Sequence, residues 1–243
     1  DTLVNLILHL RDMGAKTITI GERSGPPATS DVLKEKGIYD VCKKFGVGLR
    51  NFEELSRDEW VRIRPEKSHW RDGFDVARPV LESECIVSTC CLKTHAYGGV
   101  FTISLKLSVG ITHKRNMFEL HSSLRSMRKM IAEINQAYNP SLILMDAIEA
   151  FVDGGPAKGT KKRAEVIVAG NDRIAMDAVG LSILKELGSN KAIMERRIFE
   201  QEQIARAIEL GIGVTKSDEI EILTDDDHSK VYADRLREIL LKG

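Results

Sequence analysis

Apolar positions along the chain follow two rhythms that alternate, one with helical spacing and one of short β-rich runs. Leu3, Leu6, Ile7 and Leu10 recur at helical spacing before Gly14, and Lys16 to Gly21 reads as a short strand. The turn chemistry of Ser24-Gly25-Pro26-Pro27 separates that strand from a helix through Val32, Leu33 and Tyr39. Thr29 or Ser30 is placed to cap this helix, which ends near Gly46. Val47 to Phe52 and Trp60 to Ile63 predict two more strands, with Glu66 to Phe74 a polar connection. The run Cys85 to Leu92 is continuous and apolar, as buried parallel strands tend to be, and its end delivers Lys93-Thr94-His95. Met117, Leu120, Leu124, Met127, Ile131, Ile134 and Tyr138 step by threes and fours. That spacing predicts one long amphipathic helix closing near Asn139-Pro140. Strands follow at Leu142 to Met145, ending on Asp146, and at Ala164 to Ala169, ending on Gly170; Ile174 to Leu187 is helical. The last third predicts helix around Ile193 to Leu210, a strand over Glu219 to Leu223 and a terminal helix from Val231 to Leu241.

This alternation predicts an α/β fold, a mostly parallel sheet flanked by helices, in a single domain over residues 1–243. The apolar runs are too short and too often broken by charge to cross a bilayer. A composition of 42% hydrophobic and 30% charged residues argues against disorder. Lys plus Arg and Asp plus Glu both number 36, so no overall field draws the chain to nucleic acid or to an anionic membrane. Any basic site must be local. The chain starts at Asp1, which reads as a processed or trimmed start with no visible secretory signal. Cys42, Cys85, Cys90 and Cys91 contain no C-x-x-C pair, and the adjacent Cys90-Cys91 suits disulfide geometry poorly. A reducing, cytoplasmic setting with the thiols as small hydrophobes is the expectation.

Lys93 and His95 are two apart at a strand end, so an extended backbone points both to one side, where ligands of open α/β sheets bind. Between residues 93 and 121 the chain places three histidines, His95, His113 and His121, and four cations, Lys93, Lys106, Lys114 and Arg115, against the single acid Glu119. Such a cluster suits a small anion, with histidine able to move a proton. Lys106 is the sharpest member. It is alone in the apolar run Val100 to Val109 and must either snorkel out or meet a partner in a pocket. Lys114 and Arg115 read equally as loop charges that never converge. Metal ligation by the histidines ranks below anion binding, because no H-x-x-x-H spacing supports it. His9, His69 and His228 read as ordinary surface or core residues. A second constellation joins Asp146, the loop Asp153 to Thr160 with Gly154, Gly155 and Gly159, and Asp172 with Asp177. Its glycines suit either an anion cradle or a flexible turn. Asp172 reads as a helix cap, while Asp177 either joins the site or pairs with Arg173.

These motifs together resemble the DUF362 family: K-x-H at Lys93-Thr94-His95, the Thr102 to Lys106 stretch, Gly110, His121, Asp146, the G-G-P-x-x-G loop at Gly154 to Gly159, and D-x-x-x-x-D-A-V at Asp172 to Val179. The likeness covers residues 14 to 190, leaving 191–243 as a helical and strand extension. Family members are often described as iron–sulfur centre proteins, which the resemblance ties to an appended C-x-x-C-x-x-C segment. That segment is absent from this sequence, so a [4Fe–4S] cluster of its own is not expected. A fainter similarity, in the order His95, Lys106, His121, is to the nickel-pincer lactate racemase family; it implies proton or hydride work and metal ligation by histidine and a lysine that holds a cofactor.

Two function classes follow. One is an enzyme or binding domain for a small anionic metabolite or a metal-bound cofactor, with His95, Lys106 and His121 at its centre and Lys93, His113, Arg115, Asp146, Gly154, Gly155, Gly159 and Asp177 around them. The other is a non-catalytic, iron–sulfur or redox-associated module whose basic segment docks an acidic protein, with Cys85, Cys90 and Cys91 reactive or sharing a cluster across subunits.

Overall fold

The computed structural model describes residues 2–242. Its first part packs α1 (Thr2–Asp12), β1 (Thr19–Glu22), α2 (Thr29–Glu35), α3 (Ile38–Phe45) and β2 (Gly48–Asn51). β1 and β2 pair in parallel, and Ile7, Cys42 and Val47 form the core beneath them. The single helix expected through Val32 and Tyr39 is two, because Gly37 takes a left-handed φ of 67° and ends α2. Next come β3 (Trp60–Ile63) and β4 (Phe74–Ala77), an antiparallel pair, and the short α4 (Arg78–Leu81). β4 is a strand that the sequence pattern did not predict.

The main sheet holds β5 (Val87–His95), β6 (Val100–Thr102), β7 (Leu142–Gly154) and β8 (Gly159–Gly170) in the order β6-β5-β7-β8. Between β6 and β7 lie α5 (Ser104–Leu107), α6 (Asn116–Ser122) and α7 (Met127–Ile134). After β8 come α8 (Arg173–Glu186), α9 (Lys191–Met194), α10 (Glu202–Glu209) and α11 (Asp227–Lys242). The α/β class stands, but the sheet is mixed: β5 and β7 run parallel, whereas β5–β6 and β7–β8 are antiparallel. Each of the latter turns back through four residues, 96–99 and 155–158, and a parallel crossover needs a dozen or more. Apolar runs mark where strands are without encoding their direction, which is why the pattern suggested a parallel sheet.

Two further expectations are corrected. The long helix from Met117 breaks between α6 and α7, where Ser122, Ser123 and Ser126 offer hydroxyls that compete with helical bonding. Ser126 and Met127 both donate backbone N–H bonds to the Ser123 carbonyl, at 2.8 and 2.7 Å, and Leu124 projects into solvent. The segment Glu219 to Leu223 is not a strand: Ile220 and Ile222 pack on the main core, but their backbone joins no sheet.

Burial alternates along β5. Ser88, Cys90, Leu92 and Thr94 are buried, and Leu92 joins a core with Met145 of β7 and Ile174, Leu181 and Leu184 of α8. Thr89, Cys91, Lys93 and His95 occupy the opposite, open face.

Candidate functional site

The site grows from the end of β5. Thr94 turns inward and donates from Oγ1 to the Gly154 carbonyl at 3.1 Å, while Ala96 donates its N–H to the Gly155 carbonyl at 3.2 Å. These bonds tie the tip of the β7–β8 hairpin to the strand that carries Lys93 and His95. The approach is so close that a Cβ on Gly155 would stand 2.3 Å from the Thr94 oxygen, at a left-handed φ of 69°. β6 then returns antiparallel with Thr102 opposite Lys93, so their side chains share the open face.

Next is α5, one turn long, which other elements hold in place. Asp177 of α8 is fully buried and accepts the Leu105 N–H at 3.1 Å on one oxygen and the Gln203 amide at 3.3 Å on the other. Asn135 and Ser108 both donate to the Leu105 carbonyl, at 2.9 and 2.7 Å. Burial pushes the Asp177 carboxyl up to about 7. These anchors fix the direction of Lys106.

Lys106 comes to lie against His95. A Cβ on Gly99 would be 2.7 Å from the Lys106 Cε and 3.2 Å from the His95 Nδ1, so the bare glycine leaves the two side chains facing one small space. Lys106 makes no ion pair among the described residues. Desolvation, and then the charge of Lys93, brings its ammonium down to about 8. His95 is brought down to about 3 by desolvation and by Lys106, Lys93 and His121, so it is neutral at physiological pH. Its Nδ1 is buried without a hydrogen-bond partner, and so are the Thr102 and Ser104 hydroxyls on the same β5–β6–α5 unit. Buried polar atoms of proteins are nearly always satisfied, so an orphaned imidazole nitrogen facing an unpaired ammonium marks a place for a polar guest. Glu22, at the end of β1, borders the cluster. Burial raises its carboxyl while Arg23 and Lys93 oppose the rise.

His121 is exposed on α6 and donates from Nδ1 to the Met117 carbonyl at 2.7 Å, leaving Nε2 available. Its charge acts on His95, which puts it at the rim. Asp146 lies across from Cys91 on β7, and its Oδ1 accepts the Ile148 N–H at 3.0 Å. His113 and Arg115 go elsewhere. Arg115 makes a two-bond pair with Asp75 at 2.7 and 2.7 Å, while His113 accepts the Arg115 N–H and stands edge-on to Trp60. Gly154, Gly155 and Gly159 form the β7–β8 hairpin turn. Asp172 caps α8 by accepting the Ala175 N–H at 2.8 Å, and Asp177 bonds to α5 and α10.

Sequence reasoning missed Glu22, Thr102, Ser104 and the role of Gly99. A signal for Glu22 existed, since it ends a strand just before the Ser24 to Pro27 turn. A cleft of about 300 Å3 between β1 and β5 meets this cluster only at Glu22, with Arg50 its one basic lining residue. Lys106 and the unpartnered His95 Nδ1 lie outside that cleft.

The four thiols are spread over the fold, and Cys85 is exposed just before β5. Cys90 is buried and Cys91 exposed on opposite faces of β5, and Cys42 belongs to the separate core under β1 and β2. Among the described residues, no three His, Cys, Asp or Glu side chains gather as a metal site. No helix there is long and apolar enough to cross a membrane. A comparison with curated proteins finds no match. The likeness to lactate racemases rests on the order of His95, Lys106 and His121 alone. A family model does match, and it runs from α1 into α8 with every residue of the Lys106 cluster: over residues 1–182 the sequence fits the domain of unknown function DUF362, and the chain belongs to that family.

Proposed function

We propose that the chain binds a small anionic metabolite, a carboxylate or phosphate ester, between Lys106, His95 and Lys93. What carries this reading is a desolvated ammonium with no acidic partner among the described residues, facing the buried His95 Nδ1, which lacks a hydrogen bond. An unpaired buried cation is costly, and an anion that receives its hydrogen bonds offsets the cost. Thr102, opposite Lys93, has an unpartnered hydroxyl that can donate to the anion. Neutral His95 can donate one hydrogen bond and accept another, so it can orient the bound anion against Lys106.

Calorimetric titration with malonate and with phosphate between pH 6.5 and 9.5 tests the reading. The groups acting on Lys106 are Lys93 beside it and neutral His95, with Glu22 behind Lys93. A bound anion favours the ammonium, so affinity should be steady below pH 8 and fall by up to about tenfold per pH unit above it. An affinity indifferent to pH across this range, or no saturable heat for either anion, would contradict it.

A further inference from the structure

We infer that Lys106 is a carbonyl-condensing lysine, and that the metabolite held beside His95 is a small 2-oxo acid joined to the Lys106 nitrogen as an imine. This rests on the anion-binding reading and adds the chemical class of the ligand. Three observations support it. First, no carboxylate among the described residues pairs with Lys106, and at neutral pH a group titrating near 8 carries about 300-fold more free amine than an ordinary lysine. Second, the lysine's terminal carbons and the His95 ring meet over bare Gly99, which puts an imidazole nitrogen without a partner next to the nucleophile. Third, Lys93 and Thr102 share one face across the β5–β6 ladder, and Ser104 follows at the start of α5. A cation and an unpaired hydroxyl on that face suit a carboxylate directly bonded to the reacting carbonyl carbon, which is the arrangement of a 2-oxo acid.

The step balances without an oxidant or reductant. The Lys106 nitrogen lone pair bonds to the carbonyl carbon while the π pair moves to oxygen. A proton passes from the nitrogen to that oxygen, with neutral His95 hydrogen-bonded beside them to orient the pair, giving a carbinolamine. Loss of water then leaves the C=N bond, both amine hydrogens departing with the oxygen.

The test incubates the whole chain with pyruvate, glyoxylate or 2-oxoglutarate and sodium cyanoborohydride at pH 7, followed by peptide mapping. Cyanoborohydride supplies the hydride that turns an imine into a stable secondary amine. Label should collect on Lys106 at least a hundredfold faster than on any surface lysine, malonate should protect it, and His95→Gln should slow it. Lys106→Arg, which keeps the charge and cannot form an imine, should bind malonate and take no label. Label spread evenly over surface lysines, or none at Lys106 with all three acids, overturns the inference. Malonate binding, measured alongside by calorimetry, decides separately whether the anion-binding reading falls with it.

Discussion

A Lys106→Met protein is expected to melt at a higher temperature than the wild type while binding neither malonate nor phosphate. The methionine keeps the length and apolar stem of the lysine and removes a charge that burial disfavours. Unfolded, Lys106 titrates near 10.5; folded, near 8. The ammonium therefore destabilises the fold at every pH below 8, the penalty fades between pH 8 and 10.5, and it is absent above. With a discount for its partial exposure, the penalty is about 2 kcal/mol, or about 4–8 °C for a chain of this size. Thermal unfolding at pH 7 and again at pH 10.5 checks this, since the gain should be full at the first and small at the second. Equal melting temperatures at pH 7 would mean that Lys106 is solvated as an ordinary surface lysine. A residue that weakens the fold and is recovered only through a ligand is expected of a binding site rather than of a structural ion pair.

The second large effect concerns Asp177, whose carboxyl is raised from 3.8 to about 7. Because the unfolded chain loses this proton first, stability is greatest below pH 3.8, declines from there to pH 7, and stays reduced above, by up to about 4 kcal/mol from this group. Asp177→Asn should remove that dependence and raise stability at pH 8. Its Oδ1 can keep the Leu105 N–H, and its amide can donate to the Gln203 Oε1, a buried acceptor with no partner, once the Gln203 amide turns over. Asp177→Ala should lie about 2–4 kcal/mol below the asparagine variant, because it strands the Leu105 N–H and the Gln203 amide in the core. Urea unfolding at pH 5 and pH 8 separates the three proteins. Malonate affinity should follow the same order: Asp177 holds α5, so the alanine variant, with α5 loosened, should bind worse than the asparagine variant. An alanine variant as stable and as tight-binding as the asparagine one would deny Asp177 its positioning role.

Much of this was legible where short-range rules act. Alternation along β5 was enough to put Lys93 and His95 on one face, and a lone lysine in an apolar run was enough to single out Lys106. Glu22 was not legible because it lies about 70 residues from Lys93 and reaches the cluster only when the β1 end docks beside β5. The count of basic residues from 93 to 121 overstated the site for a related reason. Arg115 is neutralised by Asp75 and Lys114 by Glu53, acids that arrive from β4 and from beyond β2. The glycine loop pointed equally to an anion cradle and to a turn. Pairing of Gly154 with Gly159, which only the tertiary register decides, makes it a hairpin. Strand direction and the break between α6 and α7 also depend on packing between distant segments, where periodicity is silent.

The titration of Lys106 itself separates a desolvated ammonium in a binding site from an ordinary surface lysine. NMR of protein labelled with 13C at the lysine Cε, with the Lys106 signal assigned from Lys106→Arg, follows that group alone. The expected result is a midpoint near pH 8 for the free chain that moves upward when malonate is added. A midpoint at the ordinary lysine value, unmoved by malonate, would contradict it.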